Sequence, residues 1–409
     1  MSQLILAGGR FLAPEHDRLI DGIEVLIEGD RVREVSEKPI VSASAERIDL
    51  RGRTLMPGLI DMHVHVVSAV VNGVANAMTP SSLVALRTAR TMKAMLMRGF
   101  TTVRDLGGAD LGLVMAIEEG LIEGPRLIIC GKALSQTGGH SDPRDRSETR
   151  PLYTGRLGQV GQLCDGVDAV RLAAREQLRA GATFVKIMAN GGVASPNDPI
   201  HALGFSRDEI KAAVEEAENA GTYVAAHLYT DKAIARAVEC GVLSLEHCNL
   251  IQPDTAKKAA AAGCFAVPTL AAYEGLAREG TAFGLRPESA AKIETVRKGG
   301  IESLSYMRDA GLPMGYGSDL LGQLQKYQTL EFELRAQVLP LPEVIASATS
   351  VAAKLCRMEG EIGALVPGAY ADLLVVDGDP TRDATLFQND GRALRAIMRG
   401  GQFFKNELH

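Results

Sequence analysis

His63 and His65 close the run TLMPGLIDMHVHV. Successive side chains of a strand point to opposite faces, so positions i and i+2 share one. If this run is a strand, both imidazoles leave its end on the same side, as two neutral nitrogen ligands offered to one metal ion would. An isolated His-x-His pair more often binds nothing, so the argument turns on what the rest of the chain supplies.

Lys186 lies in ATFVKIMANGG, His227 in YVAAHLYT, His247 in LSLEHCN and Asp319 in MGYGSD, each within or at the end of a short, largely apolar run. Singly, each has an ordinary explanation. A lone histidine can be a hydrogen-bonded core residue, Asp319 can cap the following helix, and Lys186 can run its stem along apolar surface and reach water. Together they place four of the chain's eight histidines at strand ends, which chance does not readily produce. Lys186 is flanked by Val185 and Ile187. A buried ammonium without a partner is costly, and it is a poor neighbour for metal cations. Reaction with carbon dioxide would turn it into an anionic carbamate, whose two oxygens could bridge two ions about 3.5–4 Å apart.

These residues need a scaffold that brings strand ends together. Between residues 58 and 358 the chain alternates short apolar runs with helix-like segments rich in Ala, Glu, Lys and Arg. The runs are DMHVHVV, TTVRDLG, RLIICGK, FVKIMAN, YVAAHLY, SLEHCN, FAVPTLA and PMGYGSD. Several of the segments between them, such as GVDAVRLAAREQLRAG and SRDEIKAAVEEAENAG, stop at Gly. Eight such units predict a (β/α)8 TIM barrel, whose chemistry sits at the carboxyl ends of its strands. The stretch is longer than the roughly 250 residues usual for that fold. Enlarged loops are expected at SQTGGHSDPRDRSETRPLYTG and after MAN. The two ends differ from the middle. IEVLIEGDRVREV reads as a hairpin on a Gly-Asp turn, and GALVPGAYADLLVVDGDP and LRAIMRGGQFF as strands broken by Pro-Gly, Asp-Gly and Gly-Gly. Residues 1–57 and 359–409 are therefore expected to meet in one small β-sandwich domain, with 58–358 as the barrel.

The totals narrow the function. Lys plus Arg is 44 against 50 for Asp plus Glu, a net charge of −6, which speaks against nucleic acid as a partner. The six cysteines are scattered, with no C-x-x-C spacing, and read as reduced thiols. No apolar run approaches the ~20 residues that span a bilayer, and MSQLILAGGRF lacks the form of a signal peptide. A cytoplasmic protein acting on small molecules, without a membrane partner, is the expectation.

The chain resembles the amidohydrolase superfamily from end to end, through PGLIDMHVH, the lysine of the fourth run, the two later histidines, GSD, and the closing PGAYADLLVVDGDP. TTVRDLGG, TGGHSD, ANGGVASPNDPI and EHCNLI make it most similar to the imidazolonepropionase-like, prolidase-related branch of metal-dependent peptidases. That resemblance implies a binuclear metal site, with zinc as the expected metal. His63, His65 and Asp319 would bind the buried ion, and His227 and His247 the exposed one. Lys186, N6-carboxylated, would bridge them together with a hydroxide. It implies that His140 of TGGHSD contacts the substrate carbonyl, and that Tyr229 and Arg236 lie near the substrate's terminal carboxylate. Asp319 would act as general base and then acid. Relatives often assemble from several copies, so a homo-oligomer is expected by analogy.

The function implied is hydrolysis of an amide bond in dipeptides or N-acyl amino acids with a free carboxylate, in the manner of a prolidase or carboxypeptidase. Amide-linked toxins of the ochratoxin type would suit the same site. A cyclic amidohydrolase or deaminase is the other enzymatic reading; Lys186 argues against the mononuclear deaminases. A non-catalytic binding module would be expected to lack ligands that are all present here.

Overall fold

The computed structural model describes residues 3–193, 198–283 and 287–408. Of the eight runs read as strands, seven are strands: Leu59–Val64, Phe100–Asp105, Arg126–Ile129, Val185–Met188, Val224–Thr230, Ser244–Leu250 and Phe265–Val267. All their pairings with one another are parallel. Helices connect most of them, among them Ser81–Met97, Arg207–Asn219, Asp231–Glu239 and Pro253–Ala261. Helix Arg207–Asn219 starts where the sequence dictates. Ser206 accepts from the Glu209 N–H while Glu209 reaches back to the Ser206 N–H, a reciprocal cap, and Ile210, Ala213, Val214 and Ala217 form its buried stripe.

The ladders form two arrays. One orders Arg126–Ile129, Phe100–Asp105 and Leu59–Val64. The other runs from Gly161–Leu163 through Ala133–Ser135, Val185–Met188, Val224–Thr230 and Ser244–Leu250 to Phe265–Val267. Two members of the second array, Ala133–Ser135 and Gly161–Leu163, were not anticipated; at three residues each they are too short to show a period. The eighth run, PMGYGSD, is extended chain rather than a strand. Pro313 has no N–H to give a ladder and two glycines weaken what remains. It nevertheless lies between strands Phe265–Val267 and Leu59–Val64. Met314 bridges Ala266 in parallel, and the Met62 N–H donates to the Tyr316 carbonyl at 2.7 Å. Gly317 is required there, because a Cβ would stand 2.6 Å from Val267 Cγ1 and 3.0 Å from His63 Cβ.

The two ends of the chain do meet. Thr54–Pro57 pairs antiparallel with Leu373–Val376, and that strand with Leu394–Arg399, in a six-stranded mixed sheet. A second sheet contains Gln3–Ala7, Glu24–Glu28, Arg31–Ser36 and Glu46–Asp49, with the anticipated Gly29-Asp30 hairpin between its second and third members. The chain leaves this sheet for the other through Arg51 and Gly52, both at positive φ. One buried cluster joins the sheets: Leu6, Val25 and Ile27 from one, Leu55, Leu373 and Val375 from the other. Among the described residues no helix is long and apolar enough to cross a membrane.

The PMGYGSD segment is held from behind by a fully buried ion pair on helix Leu330–Ala336. Arg335 Nε donates to Glu331 Oε1 at 2.8 Å, and Arg335 Nη2 donates to the carbonyls of Pro268 and Gly315. Glu331 also accepts the Ala271 N–H. Burial lifts the Glu331 carboxyl to about 7, with the guanidinium pulling the other way. Glu331→Ala strands a buried guanidinium and should cost about 3–5 kcal/mol of stability, read as a lower urea midpoint. Glu331→Gln keeps an acceptor and should lose less. An Ala variant as stable as the parent would show that the pair is dispensable.

Candidate active site

His63, the fifth residue of strand Leu59–Val64, is 1% exposed. Its Nδ1 lies 2.8 Å from Glu246 Oε2, and the other oxygen of Glu246 accepts from Arg104 Nη2, also at 2.8 Å. Arg104 additionally donates from Nε to the Met62 carbonyl. Burial alone would raise the Glu246 carboxyl, but Arg104 and His63 hold it well below the usual carboxylate range. With Nδ1 committed to Glu246, Nε2 is the ring atom left for the cavity, 3.4 Å from Asp319 Oδ1. His65 repeats the arrangement. Its Nδ1 is 3.3 Å from the Gly107 carbonyl and its Nε2 3.3 Å from the same Asp319 oxygen. The donor atoms of His63, His65 and Asp319 thus gather within 4.8 Å of one another, a geometry that fits a cation.

Backbone conformation turns His247 and Asp319 inward. Leu228 pairs with His247, but Thr230 pairs with Leu250, so strand Ser244–Leu250 carries one extra residue there. His247 and Cys248 take up that residue at φ +70° and +56°. Asp319 is also left-handed, at φ +50°. Its neighbour Ser318 is fixed by Asp61, which accepts the Ser318 N–H and hydroxyl, the His63 N–H and the Gln328 amide. Such conformations cost about 1–3 kcal/mol each and persist where the surroundings over-determine them.

His247 Nδ1 sits 2.8 Å from Thr269 Oγ1, and His227 Nε2 sits 3.2 Å from the Gly191 carbonyl. Each of the four histidines therefore has one ring nitrogen committed to a protein acceptor and one left over, the usual arrangement around a metal. Burial, more than any neighbouring charge, holds His227 and His247 well below the ordinary histidine range. Lys186 is 1% exposed and faces the same space, with no hydrogen-bond or ion-pair partner among the described residues. Burial lowers the pKa of its ammonium, against the pull of Glu246 and Asp319. For Asp319, burial is outweighed by His63 and its neighbours, and the carboxylate is held well below its ordinary range.

A single cavity is lined by His63, His65, Lys186, His227, His247 and Asp319, and by His140 and Tyr229 as well. Val70, Val71, Val74, Val193, Leu276 and Leu321 line it as well, together with the polar Asn72, Asn76 and Gln159. His140 stacks on His227 with centroids 4.0 Å apart, and its Nδ1 lies 3.2 Å from Asp198 Oδ2. Arg236 is the exception to the expected set. It does not line the cavity; its Nη2 donates to the Phe205 carbonyl. The reason is direction. Helix Asp231–Glu239 leaves the strand end at once, and five residues of helix carry Arg236 about 7 Å from it. Asp198, Thr269 and Tyr273 complete the surroundings and were missed. Only Asp198 carried a signal, its place in ANGGVASPNDPI.

The sequence profile of the amidohydrolase family matches residues 54–403. The chain is 32% identical over 372 residues to ochratoxinase from Aspergillus niger, covering 86% of this chain and 75% of that one. Among solved structures, a prolidase in complex with N-methylphosphonate-L-proline superposes with a TM-score of 0.97 at 47% identity, over 99% of this chain and 100% of the other. An amidohydrolase superposes with a TM-score of 0.98 at 50% identity, over the whole of both chains.

Glu246→Gln keeps the side chain's shape and removes the charge that both Arg104 and His63 face. Metal affinity, measured by chelator competition, should fall about 10–100-fold. Parental affinity in this variant would show that His63 needs no anionic partner.

Proposed function

The chain belongs to the amidohydrolase family, and on that premise we propose that it is a metal-dependent peptidase cleaving dipeptides and N-acyl amino acids that end in a free carboxylate, Xaa-Pro dipeptides foremost. The observation that carries this reading is the convergence of His63, His65, Lys186, His227, His247 and Asp319 on one cavity. The substrate class is supported by the prolidase at 47% identity, which holds a proline bearing a phosphonate. Its tetrahedral phosphorus has the geometry that an attacked amide carbonyl passes through. The scaffold in this reading is a closed barrel over residues 58–358, with residues 1–57 and 359–409 forming a β-sandwich beside it.

Imidazole and carboxylate donors suit zinc, and two such ions, when bound, would supply Lewis acidity and a nucleophile from water near neutral pH. His63, His65 and Asp319 would hold one ion, His227 and His247 the other. Lys186 would join them as its carbamate. Burial favours the neutral amine, whose lone pair forms the N–C bond to carbon dioxide as the proton leaves. Asp319 accepts the proton of the attacking water and returns it to the leaving nitrogen. His140, fixed by Asp198 and the face of His227, meets the developing oxyanion. Tyr229 lies within the same cavity to receive the substrate's carboxylate.

A second reading is favoured by the 32% identity to Aspergillus niger ochratoxinase and by the valine and leucine side chains among those lining the cavity. An aromatic N-acyl group in place of the first amino acid would use the same chemistry.

The test is a panel of Xaa-Pro dipeptides, other dipeptides and N-acyl amino acids, read by release of free amino acid from metal-loaded protein. Proline release should vanish after chelator dialysis and return with zinc, more fully when bicarbonate is present during reloading. Asp319→Asn should lower kcat about 10²–10⁴-fold. No amide cleavage anywhere on the panel, with two metal ions bound per chain, would overturn the reading.

A further inference from the structure

Four buried side chains form a single hydrogen-bonded file leading from His247 to the cavity wall. His247 Nδ1 is 2.8 Å from Thr269 Oγ1, Thr269 Oγ1 is 3.3 Å from the Tyr273 hydroxyl, and that hydroxyl donates to the Tyr229 hydroxyl at 3.1 Å. None of the four is more than 2% exposed. Thr269 and Tyr273 belong to the start of helix Leu270–Glu279, four residues apart and therefore on one face. Tyr229 comes from the neighbouring strand, two residues after His227, and its ring lies over His247 at 5.2 Å. Both phenols line the cavity.

A hydroxyl has one proton to give, so fixing the direction of donation at one end of such a file fixes it throughout. If His247 holds a cation through Nε2, its neutral ring carries the proton on Nδ1, which faces Thr269 at 2.8 Å and lies 3.8 Å from Asp319 Oδ2. His247 Nδ1–H then donates to Thr269, Thr269 to Tyr273, and Tyr273 to Tyr229. The Tyr229 proton has no acceptor left in the file, and among the described residues none elsewhere, so it is directed to the cavity. With the proton on Nε2 instead, Thr269 donates to Nδ1, and His247 no longer drives donation along the file toward Tyr229.

We propose that Thr269 and Tyr273 are positioning residues that make Tyr229 a donor toward the substrate's carboxylate when His247 holds a cation, so that metal loading and carboxylate recognition are coupled. Each link polarises the next, which strengthens the terminal donor. This deepens the peptidase reading above and rests on it.

The experiment uses the full-length chain in five forms besides the parent: Thr269→Val, Thr269→Ser, Tyr273→Phe, Tyr229→Phe and the Tyr229→Phe/Tyr273→Phe double variant. Zinc affinity is measured by chelator competition, and KM and kcat on alanyl-proline and on alanyl-prolinamide, which lacks the carboxylate. Thr269→Val should weaken zinc binding about tenfold or more, and Thr269→Ser should restore it. Tyr229→Phe and Tyr273→Phe should each raise KM for alanyl-proline about tenfold while changing kcat less than about threefold. Neither should change KM for the amide. The double variant should be no worse than Tyr229→Phe alone, because the two hydroxyls act in series. Parental zinc affinity in Thr269→Val, a parental KM in Tyr273→Phe, additive losses in the double variant, or equal losses on the prolinamide would each overturn the proposal. Failure of the parent to cleave any substrate on the panel would instead overturn the peptidase reading, while the zinc measurements would still decide whether Thr269 supports His247.

Discussion

Arg104 and Glu246 form an ion pair with no exposure to water, and the site is built on top of it. Two buried charges cost several kcal/mol each to desolvate, so such a pair adds little to stability by itself. What it supplies is orientation. Glu246 has one oxygen for Arg104 and one for His63, and the tautomer of His63 follows from that division. Arg104 in turn donates to the Met62 carbonyl, one residue before His63. The charge therefore fixes both the ring and the strand that carries it.

The same strand carries a carboxylate with a different task. Asp61 accepts four donors, two of them from Ser318, and so binds the first ligand strand to the chain end that presents Asp319. Ordinary extended geometry would send the Asp319 side chain elsewhere; its left-handed backbone aims it between His63 and His65. His247 reaches the cavity by a related device, an extra residue in its strand. Local strain at these two positions is the physical counterpart of convergence. Residues distant in sequence share one space because neighbours with no chemical role of their own prevent the backbone from relaxing.

Much of this was legible from residue types and spacing. The i, i+2 relation of His63 and His65, the Ala- and Glu-rich segments between apolar runs, and the turn-rich ends all report local preferences, and local preferences are what a sequence displays. The unread parts have non-local causes. PMGYGSD lies beside strands but starts on a proline without an N–H and carries two glycines, so its neighbours keep it extended. Arg236 sits close in sequence to His227 and Tyr229 yet lies outside the cavity, because helix Asp231–Glu239 starts at the strand end and carries it away at about 1.5 Å per residue. Thr269 and Tyr273 matter through their contacts with His247 and Tyr229, residues on two other strands, and no spacing within their own helix announces those partners.

The union of the chain ends bears on the site as directly as any ligand. Thr54–Pro57 pairs with Leu373–Val376, and one residue later the chain enters strand Leu59–Val64. The hinge between them, Gly58, donates its N–H to the Asp372 carbonyl at 2.9 Å and packs so closely that a Cβ would stand 2.1 Å from Thr101 Oγ1. The direction in which His63 and His65 emerge is therefore set partly by a strand more than 300 residues later in the chain. Asp372 is itself buried, beside Arg126 at the start of the third barrel-region strand. The small sheets are thus not an appendage to the catalytic scaffold. They are the clamp that sets where its first strand begins, and side chains whose donor atoms gather within 4.8 Å leave little room for error in that starting point.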